Sequence, residues 1–173
     1  MPRPVALAPH DPQWAVRAEA LIAALHAPGV FIALHHIGST AVPGLAAKPV
    51  IDLLGETGDL ARIEASRPAL EGLDWRWRGE NGEAGRRYFT RDDPETGARD
   101  VHLHVYAAGD PMIAWHLAFR DRLRAEPETA EAYGREKARC AARHPGDSGA
   151  YAACKTAWTD RVAGEAVRAW GAD

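Results

Sequence analysis

The sequence contains little cysteine and no long apolar run. Its two cysteines, Cys140 and Cys154, lack the Cys-x-x-Cys spacing of redox motifs and zinc knuckles, so neither a disulfide framework nor a zinc knuckle is predicted. Two free thiols are typical of a reducing cytoplasm. No segment approaches the roughly 20 apolar residues of a membrane span. The opening MPRPVALAPHDPQW has two early prolines and lacks the apolar run of a signal peptide. We therefore expect a soluble cytoplasmic protein with no membrane partner.

The chain also lacks an excess of positive charge. Lysine and arginine total 21 against 24 aspartate and glutamate residues, which gives a formal net charge of −3. Proteins that bind the phosphate backbone of nucleic acids are usually basic. We therefore expect no nucleic-acid partner, and a nucleotide or another small molecule as substrate. The sequence sets no oligomeric state.

Apolar residues make up 46% of the chain, which is enough for a sizeable core in a single domain spanning residues 1–173. Short apolar or alternating runs predict strands between residues 30 and 106. These runs are VFIALHHIG, PVIDLLGE, LDWRW, RRYFTR and RDVHLHVY, and the turn DDPETGA joins the last two into a hairpin. We expect a mixed sheet of about four or five strands.

Helical periodicity predicts helices on both sides of this strand region. One helix at 11–26 begins at Asp11 and Pro12 and packs on a face of the sheet, and another runs from Asp59 to about Leu70. Three more follow Pro111, at about 111–125, 128–144 and 148–170. The predicted fold class is therefore α+β, with a sheet part at about 1–108 and a helical tail at about 109–173 that forms a cluster beside the sheet.

A Gly-Ser turn follows the first predicted strand. Gly38 lets the backbone approach a ligand closely because it has no side chain. Ser39, Thr40 and nearby backbone N–H groups can donate hydrogen bonds to phosphate oxygens. Asp52, on the next strand, could bind a divalent metal that those phosphates share. Together these residues predict nucleotide chemistry, and the alternative is a plain strand-to-helix turn with a capping hydroxyl.

The segment HIGSTAVPGLAAKPVIDLL resembles the signature of the GrpB-like family, which is assigned to the nucleotidyltransferase superfamily with the polymerase-beta-like enzymes. In that superfamily a Gly-(Gly/Ser) pair is followed by a spacer and by Asp-apolar-(Asp/Glu)-apolar; here twelve residues separate Ser39 from Asp52. The resemblance extends through HDPQWAVRAEALIAAL, VHLHVY and WHLAFRDRLRAEPETAEAYGREK, and so covers nearly the whole chain. It implies a nucleotidyltransferase-like mixed sheet with flanking helices.

The sequence departs from the superfamily pattern at the metal ligands. Active nucleotidyltransferases usually carry a second carboxylate two residues after the first and a third on a neighbouring strand. This chain has Leu54 at the second position, and His102 and His104 on the third strand. Alternation places Asp100 on the same face as the two histidines. A histidine-containing metal site is one interpretation, loss of transferase activity is another, and a polar solvated sheet face is the plainest.

The candidate metal site consists of four residues on two strands. Asp52, His102 and His104 are both metal-ligand and catalytic candidates, and Glu56 joins the ligands because it continues the face of Asp52. The expected cofactor is a divalent metal, either magnesium or manganese, or zinc because of the histidines.

Basic residues could bind the phosphates of a nucleotide beside Gly38, Ser39 and Thr40. The candidates are Lys48, Arg87 and Lys155, since arginine can clamp phosphate with two hydrogen bonds and lysine can balance its charge. Each has an ordinary alternative: a solvent-facing loop lysine, a surface ion pair, or the solvated face of a helix.

Two functions stay open at this point. The first is metal-dependent transfer of a nucleoside monophosphate from a nucleoside triphosphate to an unknown acceptor, which needs phosphate positioning and charge neutralisation. The second is a catalytically degenerate nucleotide-binding or sensor module, which Leu54 favours. The family resemblance links this module to coenzyme A metabolism, because related domains are joined to dephospho-coenzyme A kinase. Both predict that Gly38, Ser39, Asp52 and the two histidines lie within about 10 Å of one another, in a cleft between the sheet and the helical tail.

Overall fold

The computed structural model describes residues 4–170, in which short strands and helices are followed by three long helices. The strands are β1 (Ala33–Ile37), β2 (Ile51–Thr57), β3 (Arg76–Trp77), β4 (Arg87–Asp92) and β5 (Arg99–Ala107). The helices are α1 (Gln13–Leu25), α2 (Leu60–Ala65), α3 (Arg67–Glu71), α4 (Pro111–Ala125), α5 (Pro127–Arg143) and α6 (Ser148–Trp170).

The strands form one mixed sheet in the order β1-β2-β5-β4-β3. β2 and β5 are parallel neighbours at its centre, and the other neighbouring pairs are antiparallel. In this register Asp52 lies opposite His102, and Leu54 lies opposite His104. Pairing of the two central strands therefore brings the predicted carboxylate and histidines side by side.

Apolar and polar residues alternate along β2 and β5, which gives the sheet one apolar face, and α1 covers this face. The main core on this face includes Trp14, Ala18, Leu25, Ile51, Leu53, Val101, Leu103 and Val105, all buried. Each aliphatic side chain of this size contributes about 1.5–3 kcal/mol when fully buried, so the two central strands are fixed firmly in register. The alternate residues, with Asp52 and the two histidines among them, project from the opposite face.

The helical tail packs on that opposite face and on the loop that follows β1. Ile113 of α4 lies in a cluster with Leu54 and Tyr106 of the central strands. A second cluster joins the loop after β1 to all three long helices, through Val42, Leu45, Phe119, Leu123, Tyr133, Val162 and Ala163. The predicted α+β fold, with a mixed sheet and a helical cluster in contact with it, is confirmed. No helix among the described residues is both long and apolar enough to cross a membrane.

Two elements differ from their predicted extent. The helix predicted from Asp59 to Leu70 is two short helices, α2 and α3, because Pro68 has no N–H and its ring prevents a continuous helix across this point. The strand predicted for LDWRW is only the two-residue β3, and Trp75 just before it is buried in the main core. In both places the breaks are local and do not affect the central strands.

A β-bulge overturns the predicted position of Asp100. Arg91 pairs with Val101 and Asp92 pairs with Arg99, so Asp100 is the extra residue of β5. Its side chain forms an ion pair with Arg17 of α1, which covers the other face of the sheet. The prediction that Asp100 shares a face with the two histidines is wrong, since a bulge interrupts the period-two alternation.

The expectation of two free thiols is also wrong. Cys140 of α5 and Cys154 of α6 form a disulfide, with 5.8 Å between their Cα atoms. The cysteines are 14 residues apart in sequence, and the chain reverses between them so that α6 lies against α5. Spacing rules for local cysteine motifs do not cover pairs that the helix packing brings together. A cytoplasmic location therefore stays a prediction.

Candidate functional site

Gly38 and Asp52 are in direct contact. Gly38 directly follows β1 and has a φ of 72°, in the left-handed region that favours glycine. A Cβ atom at this position would lie 2.7 Å from Oδ2 of Asp52 and 3.2 Å from its Cβ. The glycine is therefore required twice, by the backbone conformation and by the carboxylate that lies against it.

The two hydroxyl groups of the turn have different surroundings. Thr40 is buried, and its hydroxyl is 2.9 Å from Nε2 of His36. Ser39 is half-buried, and its hydroxyl has no hydrogen-bond partner among residues 4–170. Burial lowers the pKa of His36 to about 4, an effect that Asp52 opposes, so the ring is neutral at pH 7 and suits the hydroxyl of Thr40. Ser39 is thus the hydroxyl available to a phosphate.

The carboxylate of Asp52 lies between two histidines. Its Oδ1 is 3.0 Å from Nδ1 of His102 and 3.7 Å from Nε2 of His104. Burial raises the pKa of Asp52, but the hydrogen bonds and charges of the two rings outweigh it and hold this pKa below its usual range. One carboxylate oxygen and one nitrogen of each ring lie within 4.8 Å of one another, so the donor set fits a single divalent cation.

His104 is held between Asp52 and Arg86. Nη1 of Arg86 is 3.5 Å from Nδ1 of His104, and Arg86 also donates to the backbone oxygens of Glu80 and Asn81. Because a guanidinium can only donate, Arg86 favours the tautomer in which Nδ1 accepts and Nε2 carries the proton towards Asp52. Burial lowers the pKa of His104 and so favours the neutral ring.

Helix α4 contributes a third histidine to the site and two arginines that donate hydrogen bonds to the backbone of the turn. The ring of His116 is 5.4 Å from that of His104, between centroids, and burial lowers the pKa of His116 to about 3. Arg120 donates to the backbone oxygen of His36 and Arg124 to that of Ala41, at 3.1 and 2.8 Å. The two arginines therefore fix the backbone on both sides of the Gly-Ser turn.

Both predicted phosphate-binding lysines lie near Asp52. Nζ of Lys48 and of Lys155 are 5.2 and 5.3 Å from the ring centroid of Tyr151. Burial lowers the pKa of Lys48, and Tyr133 is the main group that raises the pKa of Lys155. The negative charge of Asp52 acts to raise the pKa of both lysines. Lys48 is half-buried in the loop before β2, and its role stays a prediction.

Two other predicted site residues lie apart from this group. Arg87 is 2.7 Å from Glu64 of α2 and 3.4 Å from Glu80, an ion-pair arrangement on the other face of β4. Glu56 is on the face of Asp52, but its carboxylate is 2.9 Å from Nε2 of His35. The structure therefore brings together the turn, Asp52, the two histidines and two lysines, and leaves Arg87 and Glu56 outside.

Arg86, His116 and Lys137 are not among the candidate residues predicted from the sequence. Lys137 is 1% exposed, donates to the backbone oxygen of Ala46, and lies over the ring of Tyr133 at 4.8 Å. Burial, helped by the charge of Lys155, lowers its pKa to about 7. No pattern in α4 or α5 distinguishes His116 or Lys137 from solvated helix residues.

Comparison with known proteins identifies the family. Residues 4–165 match the family described as GrpB protein. The chain belongs to the GrpB family. A solved member, the conserved protein GrpB from Enterococcus faecalis, superposes with a TM-score of 0.87 at 32% identity, over 95% of this chain and 99% of that one.

GrpB-family relatives share this region as part of longer proteins. The UPF0157 protein YqkA of Bacillus subtilis is 40% identical over 139 residues, which is 80% of this chain and 39% of YqkA. The UPF0157 protein PA4798 of Pseudomonas aeruginosa is 39% identical over 93% of this chain and 67% of its own length. A dephospho-CoA kinase of Mycolicibacterium paratuberculosis is 30% identical over 90% of this chain and 44% of the kinase. The chain thus spans less than half of YqkA and of the kinase.

A more distant likeness concerns the fold alone. The structure of Cid1 in complex with its short product ApU superposes with a TM-score of 0.51 at 11% identity, over 84% of this chain and 48% of Cid1. Cid1 is a poly(U) polymerase. The GrpB-family chain therefore has a nucleotidyltransferase-like fold.

Proposed function

We propose that this GrpB-family chain is a metal-dependent nucleotidyltransferase, which transfers a nucleoside monophosphate from a nucleoside triphosphate to an acceptor. The observation that carries the proposal is the contact between the Gly38 turn and the Asp52 carboxylate, where a Cβ atom on Gly38 would lie 2.7 Å from Oδ2. A turn of the phosphate-binding kind thus meets a potential metal ligand, in a fold that resembles that of Cid1.

Asp52, His102 and His104 would hold the metal. Two ring nitrogens and one carboxylate oxygen fit zinc or manganese better than magnesium, which prefers an all-oxygen shell. When bound, the cation neutralises phosphate charge and polarises the reacting phosphoryl group. A neutral imidazole that binds a metal through one nitrogen carries its proton on the other. If His104 is to bind the metal through Nε2, its Nδ1 must carry the proton, and Arg86 can then no longer donate a hydrogen bond to Nδ1.

The remaining groups of the site would position the triphosphate. The free hydroxyl of Ser39 and neighbouring backbone N–H groups can donate to phosphate oxygens. Lys48 and Lys155 bring positive charge to the same region, because both ammonium groups lie close to the ring of Tyr151. Phosphoryl transfer needs little covalent chemistry from a protein, so positioning and charge neutralisation of this kind supply most of the rate enhancement.

One observation favours a second function, a catalytically degenerate nucleotide-binding or sensor module. Leu54 is fully buried among Ile37, Tyr106 and Ile113, where active nucleotidyltransferases carry a second carboxylate. Replacing that acid by a packed apolar residue removes a ligand for a second metal. The dephospho-CoA kinase relatives make coenzyme A or a precursor a reasonable ligand for such a module.

A thermal-shift experiment separates the two functions. The full chain is heated with each nucleoside triphosphate, and with dephospho-coenzyme A, in the presence of magnesium, manganese, zinc or a chelator. The transferase proposal expects nucleotide to raise the melting temperature only when a metal is present. A shift that is equal with chelator supports the sensor, and no shift with any nucleotide would contradict both.

A further inference from the structure

A second cavity adjoins the site on the side away from the Gly-Ser turn. It has a volume of about 720 Å³ and lies between the loop before β2, the β4–β5 hairpin and the start of α6. Its lining includes Lys48, Arg78, Tyr88, Thr90, Arg99 and His102, and we call it the basic cavity. His102 links it to the site, because this ring is also bonded to Asp52.

The charge of the basic cavity differs from that of the chain as a whole. The chain carries a formal net charge of −3, yet three cationic side chains line the cavity, and no carboxylate of residues 4–170 is part of the lining. Arg99 is compensated by Asp92, whose Oδ1 is 2.7 Å from its Nε. Arg78 donates to the hydroxyl of Thr90 at 3.0 Å and has no ion pair within the described part of the chain.

Lys48 is likewise without a carboxylate partner among the described residues, and its ammonium group lies over the ring of Tyr151. Two cations that face one cavity without a directly paired carboxylate favour an anionic occupant. Tyr88 adds an aromatic wall, and Thr90 adds a hydroxyl. The cavity therefore suits a small molecule that carries one anionic group and a less polar body.

Strand order separates the basic cavity from the Gly-Ser turn. The turn follows β1, on one side of β2, whereas the hairpin that lines the cavity is formed by β5 and β4 on the other side. Asp52 of β2 lies between them. A triphosphate bound at the turn would leave the basic cavity open to a second substrate, which could reach the reacting phosphorus past His102.

We propose that the basic cavity binds the acceptor, and that the acceptor carries a phosphate or carboxylate group. This assignment rests on the proposed transferase function. The acceptor oxygen forms a bond to the α-phosphorus, the bond from the α-phosphorus to the oxygen that bridges to the β-phosphorus breaks, pyrophosphate leaves, and the proton of the acceptor hydroxyl passes to water. Arg78 fixes the anionic group and so directs the hydroxyl of the acceptor towards Asp52.

The test uses three probes with one carbon skeleton: glycerol 3-phosphate, glycerate and glycerol. Their binding to the full chain is measured by isothermal titration calorimetry. We expect at least one anionic probe to bind about tenfold or more tightly than glycerol, and the comparison of phosphate with carboxylate identifies the preferred group. Equal binding of all three probes, or no binding of any, would overturn the proposal.

Substitutions at single residues identify where the anionic probe binds. Arg78→Gln should weaken binding of the anionic probe about tenfold. Arg78→Lys should keep most of the binding because it keeps the positive charge. The control variant Arg135→Gln, at an exposed position on α5, should bind the probe as the native chain does. If Lys155→Gln abolishes probe binding while Arg78→Gln leaves it intact, the probe occupies the turn and the proposal fails. Failure of the proposed transferase function would give a different result. In that case the native chain would bind the probe through Arg78 but would not bind nucleotide in the presence of metal.

Discussion

At the scale of single residues, the site depends on the contact between Gly38 and Asp52. Glycine at this position satisfies a φ of 72° and leaves room for a carboxylate oxygen only 2.7 Å from where a Cβ would lie. The carboxylate then accepts a hydrogen bond from His102 on the neighbouring strand and lies 3.7 Å from Nε2 of His104. Turn, acid and histidines therefore form one unit, in which a change at one residue displaces the others.

Gly38→Ala tests this contact. The substitution should lower the free energy of unfolding by about 1–3 kcal/mol for the left-handed backbone and should also displace Asp52. Gly44→Ala is the matched control, since Gly44 has a φ of 78° but no atom within 4 Å of its Cβ position. Chemical denaturation measures stability, and calorimetry with manganese measures the site. If the two variants bind metal equally well, the contact does not organise the site.

Lys137 gives a pH prediction. Its folded-state pKa is about 7 because burial disfavours the charged form, against about 10.4 in an unfolded chain. Below pH 7 the ammonium is charged in both the folded and the unfolded state, and its burial destabilises the fold. As the pH rises from one pKa to the other, the folded state loses this proton while the unfolded state keeps it. The contribution of Lys137 to the free energy of unfolding therefore increases by up to about 1.4 kcal/mol per pH unit. The difference in unfolding free energy between the native chain and Lys137→Met should show this slope. A difference that does not vary with pH would show that Lys137 titrates normally.

At the scale of elements, sequence reasoning succeeded where neighbouring residues decide the structure. Alternation in PVIDLLGE and VHLHVY placed Asp52, His102 and His104 on one face, because the two central strands pair without a break over these residues. It failed for Asp100, where a bulge moves the side chain to the other face. Arg87 forms an ion pair with a distant helix, which was its ordinary alternative, and its phosphate-binding role stays a prediction. Arg86 and His116 were missed because tertiary packing alone brings them to His104.

The disulfide between α5 and α6 gives a prediction for these two helices. A covalent link across 14 residues restricts the unfolded chain and should stabilise the fold by about 2–4 kcal/mol. A reductant such as dithiothreitol should therefore lower the melting temperature of the native chain. The double variant Cys140→Ala with Cys154→Ala should melt lower at the outset and should not respond to reductant. Identical melting of the native chain with and without reductant would mean that the link does not stabilise it.

At the scale of the whole molecule, the family resemblance of the sequence is confirmed by the match over residues 4–165 and by the Enterococcus faecalis structure. Composition correctly indicated a chain without general positive charge, but it could not reveal the basic cavity, because Lys48, Arg78 and Arg99 are far apart in sequence and meet only in the fold. Sequence rules likewise could not show that the Gly-Ser turn and this cavity lie on opposite sides of Asp52.

The most direct test of the proposed function is nucleotide binding by Asp52→Asn, measured by calorimetry with and without manganese. Asparagine keeps the shape and most of the hydrogen bonding but removes the charge that a divalent cation requires. Metal-dependent nucleotide binding should be lost while the melting temperature stays similar, and Glu56→Gln, on the same strand face but bonded to His35, should bind like the native chain. Undiminished metal-dependent binding by Asp52→Asn would contradict the assignment of this carboxylate as the metal ligand of a nucleotidyltransferase.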